Sequence, residues 1–465
     1  MHQSVRKVHI LCAVLALFAL GSISSPHIGA DESQSAARAA EDENAFPKPE
    51  YGRDLPMAFA QGMAANLAIW GYDYMIMQPY ARVSPTTWKN NIEEGPEWDN
   101  SDFFTNQILH PYHGSMYYTG ARAYGFSYWE SLAFAELGSY IWEYYAERDT
   151  PAINDLIVTA VGGAAFGEAG YRIAIAFSDS NTAGGARGFF REFAAWVVNP
   201  MYMLNKWVFG EPFAERNKLP RTHLDFIVRG GLNYTHDDDE RFSDFPHAYL
   251  GALIRYGSPW DSGSLYGPYD YFSVKVDGEV DYVNPSWDIF ADAILCGFKL
   301  YIGKQARAVL GLYQQFDYLE NLVYKLASNG AGPGFDLRLP FGERSSVELN
   351  SYFYGMILGV MDSRYSHWEI DNYDTKGTGW SYKAGLKYLC EGYFSLSLNY
   401  FYYRMWVLDG ADWTNTVHIF TSTLEAYTAP DTSIGLELRY YQRWSDAGYD
   451  NAWAWSLKTY IAYKL

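Results

Sequence analysis

The run His110-Pro111-Tyr112-His113-Gly114-Ser115 sets two imidazoles three residues apart. Glu136, Glu143 and Glu147 follow near one face of the next expected helix, and Asn154-Asp155 opens another. Histidine beside carboxylate is a donor set for zinc or iron, and equally an acid and base pair. His110, His113, Glu143 and Asp155 are therefore the candidate catalytic residues. Their spacing matches no established zinc signature and selects no particular metal or cofactor. Carboxylates inside an apolar bundle are costly unless they are paired or bound to something. A second reading uses the same residues structurally. In it the glutamates cap helix ends, face the periplasm or pair with Arg122, Arg148 and Arg172, and both histidines are satisfied by Tyr hydroxyls or carbonyls.

The elements that must position these residues are helical. Residues 55–80 carry Met57, Ala60, Met63, Ala64 and Leu67 as a stripe, and residues 84–102 read as a turn-rich connector. Ser127 with Glu130 three residues on forms a capping box, which starts a helix expected to run to about Arg148. Pro151 and Asn154-Asp155 start the next, which continues past Gly163 and Gly167 towards Phe177. Those glycines lie four apart on one face and allow a second backbone to approach closely. A Gly-rich loop at 181–188 precedes a last helix ending near Phe209.

Taken together, His110-Pro-Tyr-His-Gly-Ser-Met-Tyr-Tyr, Gly125-Phe-Ser-Tyr-Trp-Glu130, Trp142-Glu143-Tyr144, Pro151-Ala-Ile-Asn-Asp155-Leu and Gly162-Gly163 to Gly167-Glu168 resemble the family known as domain of unknown function 3943. The resemblance covers about residues 104–172. It implies a Gram-negative envelope protein and a set of polar residues held in an apolar bundle. It implies no reaction.

Beyond Pro220 the hydrophobic period becomes two. Strands are expected to begin near His223, Pro246, Tyr269, Trp287, Ala308, Gly334, Ser345, Gly379, Tyr393, Asn415, Ser433 and Asn451. In the final one, Leu457, Thr459, Ile461, Tyr463 and Leu465 share a face suited to lipid, and Ser456, Lys458, Tyr460, Ala462 and Lys464 share the other. This ending resembles the C-terminal signal of bacterial outer-membrane barrels, with Leu in place of the usual Phe, and so implies barrel-assembly machinery as a partner. Connections at 303–305, 342–344, 391–392 and 429–432 are short, and those at 362–378, 409–414 and 445–450 are longer. That asymmetry belongs to a barrel with both termini in the periplasm. The link at 257–270 breaks it, so a strand is misplaced there or the turn packs on the helices. Ile434, Leu436 and Leu438 alternate with Gly435, Glu437 and Arg439, and Lys383 and Lys387 share a face. Charges of both signs in so narrow a lumen are expected to cross-pair and fill it.

The chain is thus expected to be mainly β: a transmembrane antiparallel barrel of about 12 strands at 220–465, preceded by an apolar helical domain at 52–210 on the periplasmic side. Arg6 and Lys7 before the apolar run from Val8 to Leu20, then Ile28-Gly29-Ala30, read as a signal peptide at 1–30 containing Cys12. Residues 31–51 read as a flexible tail, and Cys296 and Cys390 as separate apolar positions. The 41 Tyr and 16 Trp suit interfacial girdles, and a net charge of −19 argues against nucleic acid. Outer-membrane lipid or lipopolysaccharide is the expected contact.

The leading function is structural, narrow-channel or lipid-contacting. The alternative is a membrane-embedded enzyme that modifies lipid or lipopolysaccharide. Ser328-Asn329-Gly330 resembles the Ser-Asn part of the outer-membrane phospholipase signature, but Leu326 stands where the His base is expected. The plainer reading is a Gly-rich external loop. Residues 236–240, His-Asp-Asp-Asp-Glu, suit either calcium or a solvated loop tip.

Overall fold

A computed structural model describes residues 53–99, 102–178, 186–217, 223–237, 246–260, 263–280, 286–303, 306–320, 325–362, 375–410, 414–446 and 451–465. The signal-peptide and tail assignments lie outside these residues, as do most of 181–188, 238–240, 363–374 and 447–450.

Among the described residues seven α-helices precede the barrel: α1 (Leu55–Met75), α2 (Pro85–Glu94), α3 (His110–Arg122), α4 (Tyr128–Ile141), α5 (Ile153–Ser178), α6 (Ala186–Val198) and α7 (Pro200–Arg216). The capping box of Ser127 and Glu130 starts α4 as expected. The helical run continues to Ala146, close to the expected end near Arg148, but beyond Ile141 it widens into a π-helical segment, Trp142–Ala146. The connector at 84–102 conceals α2, begun by a Ser84/Thr87 capping box and Pro85 at its first position. No described helix is long and apolar enough to cross a membrane.

The twelve strands are β1 (Leu224–Asp237), β2 (His247–Tyr256), β3 (Phe272–Val280), β4 (Ser286–Ile302), β5 (Ala306–Glu320), β6 (Lys325–Phe341), β7 (Ser345–Asp362), β8 (Thr375–Cys390), β9 (Phe394–Asp409), β10 (Asn415–Ala429), β11 (Thr432–Ser445) and β12 (Ala452–Lys464). Each pairs antiparallel with its sequence neighbour, and β12 pairs with β1, so the sheet closes. One expected start is nine residues late: β6 begins at Lys325, not Gly334. The turn-like sequence 328–334 is inside the strand, where Gly332 has no room for a side chain: a Cβ would lie 2.0 Å from the Phe353 carbonyl oxygen.

Closure gives every strand an inner and an outer face. On β12, Lys458, Tyr460 and Ala462 are buried inside while Leu457, Ile461 and Tyr463 are exposed outside, as their alternation requires. Leu436 and Leu438 of β11 are likewise exposed, with Glu437 and Arg439 buried between them. The link at 257–271 contributes a two-residue strand, Leu265–Tyr266, which extends the sheet against β4. It also meets the helices, since Arg172 of α5 donates to the Pro268 carbonyl at 2.9 Å and Tyr128 of α4 stacks on Tyr269.

Helix α5 lies along the outside of the barrel wall. On β5, Gln315 and Asp317 point inward to Ser328 and Lys383. Their neighbours Gln314 and Phe316 therefore point outward, and these meet α5. Gln314 donates to the Val161 carbonyl at 3.2 Å, and Phe316 packs on Phe166 with ring centroids 4.6 Å apart. From there α5 runs across the strands until Phe177 reaches Phe226 of β1. Its first turns pack near Leu358 and Val360 of β7. Thus α5 begins beside the end of the barrel that carries the longer loops.

Candidate functional site

The site begins with two helices brought into backbone contact. Gly114 of α3 and Gly163 of α5 leave no side-chain space between them: a Cβ on Gly163 would lie 2.7 Å from the Gly114 carbonyl carbon. This close approach, which the spacing of Gly163 and Gly167 anticipates, sets His110 one turn earlier on α3 against the start of α5. His110 Nε2 lies 3.6 Å from Asp155 Oδ2, and its Nδ1 is 3.3 Å from the Thr159 hydroxyl. A second π-helical segment, Thr105–Leu109, runs directly into His110. Glu143 sits in the other, at the end of α4. Widened turns of this kind redirect side chains and recur at functional sites.

Ligand atoms of His110, Glu143 and Asp155 all fall within 4.8 Å of one another. Glu143 Oε2 accepts from the Ala152 backbone N–H at 3.0 Å, while its Oε1 is buried without a partner. Asp155 Oδ1 accepts from the Asn154 amide at 2.9 Å. The same amide donates to Asp99 at 2.6 Å, and Asn106 donates to Asp99 at 3.1 Å. Burial, helped by the charge of Glu147, holds the Glu143 carboxyl well above its usual range. Burial does the same to Asp155, with Asp99 and Glu143 adding to it. Burial lowers His110 to about 4 against a smaller opposing pull from Asp99, so its ring is neutral at pH 7. These groups stand off the strands that cross the barrel wall.

His113, the fourth candidate, turns away. Its Nε2 lies 2.6 Å from the Tyr117 hydroxyl, which also bonds Asn66 Oδ1. The ring also packs edge-on against Trp142. A Tyr hydroxyl thus satisfies His113, as the structural reading of the sequence expected. That reading also let the glutamates cap helix ends, face the periplasm or pair with Arg122, Arg148 and Arg172; of these, the arginine pairing is not what the structure shows for Glu136, Glu143 or Glu147. Arg148 pairs with its neighbour Asp149, and Glu136 is exposed on α4. Arg122 and Arg172 both clamp Glu168 of α5, at 2.9 and 2.8 Å, and Tyr118 donates to the same carboxylate at 2.7 Å. The i,i+4 spacing of Glu168 and Arg172 is the signal that could have found this clamp. Asp99 has no comparable signal, because it reaches the cluster from a loop.

The barrel interior is filled in layers. Near the loop end Met356, Met361, Tyr403, Met405, Ile419 and Tyr441 form an apolar cluster. Below it Lys383 bonds Asp292 and Asp317, both at 2.7 Å, and Arg439 bonds Asp288 directly and reaches Asp277 at 3.5 Å. Lys275 and Glu437, from β3 and β11, meet at 2.9 Å. A cavity of about 840 Å³ remains towards the turn end, lined by charged groups including Asp225, Arg229, Lys387 and Lys464. Ser328 stands inside β6 near its loop end, fully buried and bonded to Gln315, so the phospholipase-like motif is neither an external loop nor a nucleophile beside a base.

A closed antiparallel barrel with an apolar outer face and a polar, ion-paired interior defines the outer-membrane class of β-barrel protein. Residues 95–201 match the family described as domain of unknown function, DUF3943. No curated protein matches the chain. Among solved structures, the NanC porin is 12% identical over 52% of this chain and 100% of its own, with a TM-score of 0.31. The KdgM porin in complex with disordered oligogalacturonate is 9% identical over 52% and 99%, TM-score 0.24. The outer membrane channel DcaP of Acinetobacter baumannii is 10% identical over 52% and 96%, TM-score 0.23. Scores this low transfer neither an activity nor a permeant.

Proposed function

We propose that the barrel is a non-conducting outer-membrane scaffold whose wall carries the helical domain at the lipid boundary. The observation that supports this is the bonding of Lys383 to Asp292 and Asp317 across the lumen, beneath the apolar cluster around Met405. Connections of two or three residues at four of the turn-end joins, against four to twelve at the loop end, favour a periplasmic turn end. The helices then stand beside the barrel. Leu67, Trp129, Leu137, Phe189 and Trp207 on them are exposed and suit contact with acyl chains. The test is conductance of the purified full chain in planar bilayers. No unitary current steps are expected; steady open-channel current would overturn the reading.

A second reading, a membrane-embedded enzyme acting on lipid or lipopolysaccharide, is favoured by one feature. A neutral His110 faces two carboxylates that hold protons to unusually high pH, which suits proton transfer. Mass spectrometry of outer-membrane lipids from cells with the wild-type gene, without it, and with Glu143→Gln tests it. A lipid change that follows Glu143 supports catalysis, and identical lipids in all three refute it.

A further inference from the structure

We infer that His110, Glu143 and Asp155 hold a first-row divalent cation of the zinc or manganese type. The inference is independent of any catalytic role. Three separate segments, the start of α3, the π turn after α4 and the start of α5, deliver one nitrogen and two carboxylates within 4.8 Å of one another. Glu143, only 1% exposed, keeps Oε1 without a hydrogen-bond partner. A buried acceptor left open in this way needs something to bind.

The bonds these groups do make orient them without neutralising them. Glu143 takes a backbone N–H from Ala152, and Asp155 takes the Asn154 amide. The Thr159 hydroxyl lies 3.3 Å from His110 Nδ1 and Nε2 is turned towards Asp155, so the tautomer protonated at Nδ1 would present the Nε2 lone pair to a metal. Holding one imidazole nitrogen so that the other is presented is how proteins fix a metal-binding tautomer. The Asn154 and Asn106 amides, joined through Asp99, form an outer layer that secures the carboxylate side. A cation would occupy Glu143 Oε1. Imidazole nitrogen with carboxylate oxygen favours zinc, manganese or iron(II) over calcium, which takes six to eight oxygens. Water or a substrate oxygen would complete the coordination.

The rival account is a carboxylate pair that shares a proton and binds no ion. The full chain, purified without a histidine tag and stripped with EDTA, is equilibrated with ZnCl2 or MnCl2, desalted and analysed for metal by mass spectrometry. X-ray absorption is recorded on the zinc form. Expected are one metal per chain, one imidazole among oxygen donors, and at least a tenfold loss of occupancy in Glu143→Gln and Asp155→Asn, with His113→Ala unchanged. Folding of each variant is read from near-ultraviolet circular dichroism. Wild-type protein without stoichiometric metal, a first shell with several imidazoles or with sulfur, or full occupancy in folded Glu143→Gln would each overturn the site. The wild-type measurements decide even if a variant misfolds.

Discussion

Gly114 and Gly163 touch backbone to backbone, and a Cβ on Gly114 would fall 1.9 Å from the Thr159 carbonyl oxygen. The contact fixes the register of α3 on α5, and with it the distance from His110 to Asp155. Gly114→Ala must push the helices apart, at a cost of about 1–3 kcal/mol for overpacking. Protease resistance of the helical domain should fall, while the barrel keeps its heat-modifiable migration on gels. Unchanged resistance would show that the two helices can slide.

Lys383 joins Asp292 of β4 and Asp317 of β5 across the lumen. Lys383→Ala leaves two carboxylates without their cation, and losing one partner of a buried ion pair costs about 3–5 kcal/mol. The temperature at which the barrel loses its compact gel mobility should drop. Adding Asp292→Asn and Asp317→Asn should recover most of the loss, because no unpaired charge then remains.

Leu438 sits outward on β11, between inward Glu437 and Arg439. An arginine at a lipid-facing position near the bilayer centre costs about 2–4 kcal/mol. Leu438→Arg is therefore expected to lower folding yield into lipid vesicles, measured by urea titration. Gly435→Ala probes the other face of the same strand, where a Cβ would lie 2.2 Å from the Tyr460 ring.

Metal-free protein should show a characteristic pH dependence at Glu143. Its folded pKa is raised by burial, so the stability that depends on its proton is complete below about 4.5, the unfolded value, and is lost as pH rises above it. Glu143→Gln keeps the neutral form at all pH. In EDTA the variant's helical domain should match wild type near pH 4 and exceed it increasingly above pH 5, by up to about 1.4 kcal/mol per pH unit. His110 contributes with the opposite sign: its folded pKa is lowered to about 4, so stability falls as pH drops from 6.5 towards 4 in both proteins. Comparing variant with wild type cancels that effect. Thermal unfolding followed by circular dichroism between pH 4 and 8 measures it.

The order of residues by itself determined the barrel. Strand side chains alternate whatever their neighbours, so the lipid and lumen faces of Ser456 to Leu465 and of Ile434 to Arg443 are written locally. Most strand starts and the Ser127 cap are local in the same sense. Where local signals mislead, as at Gly330 to Gly334, the strand is held by pairing with β5 and β7, which no short window contains. The candidate site was legible only as a set of residue types. Which of them meet is decided by the packing of α3 on α5 and by two widened turns, and these bring His110 to Glu143 and Asp155 but send His113 to Tyr117. Only the tertiary structure could reveal that α5 stands against the outer wall, because that depends on Phe166 meeting Phe316 and Phe177 meeting Phe226 across long stretches of chain. Contacts between distant segments arise from shape and burial, which have no sequence period to betray them.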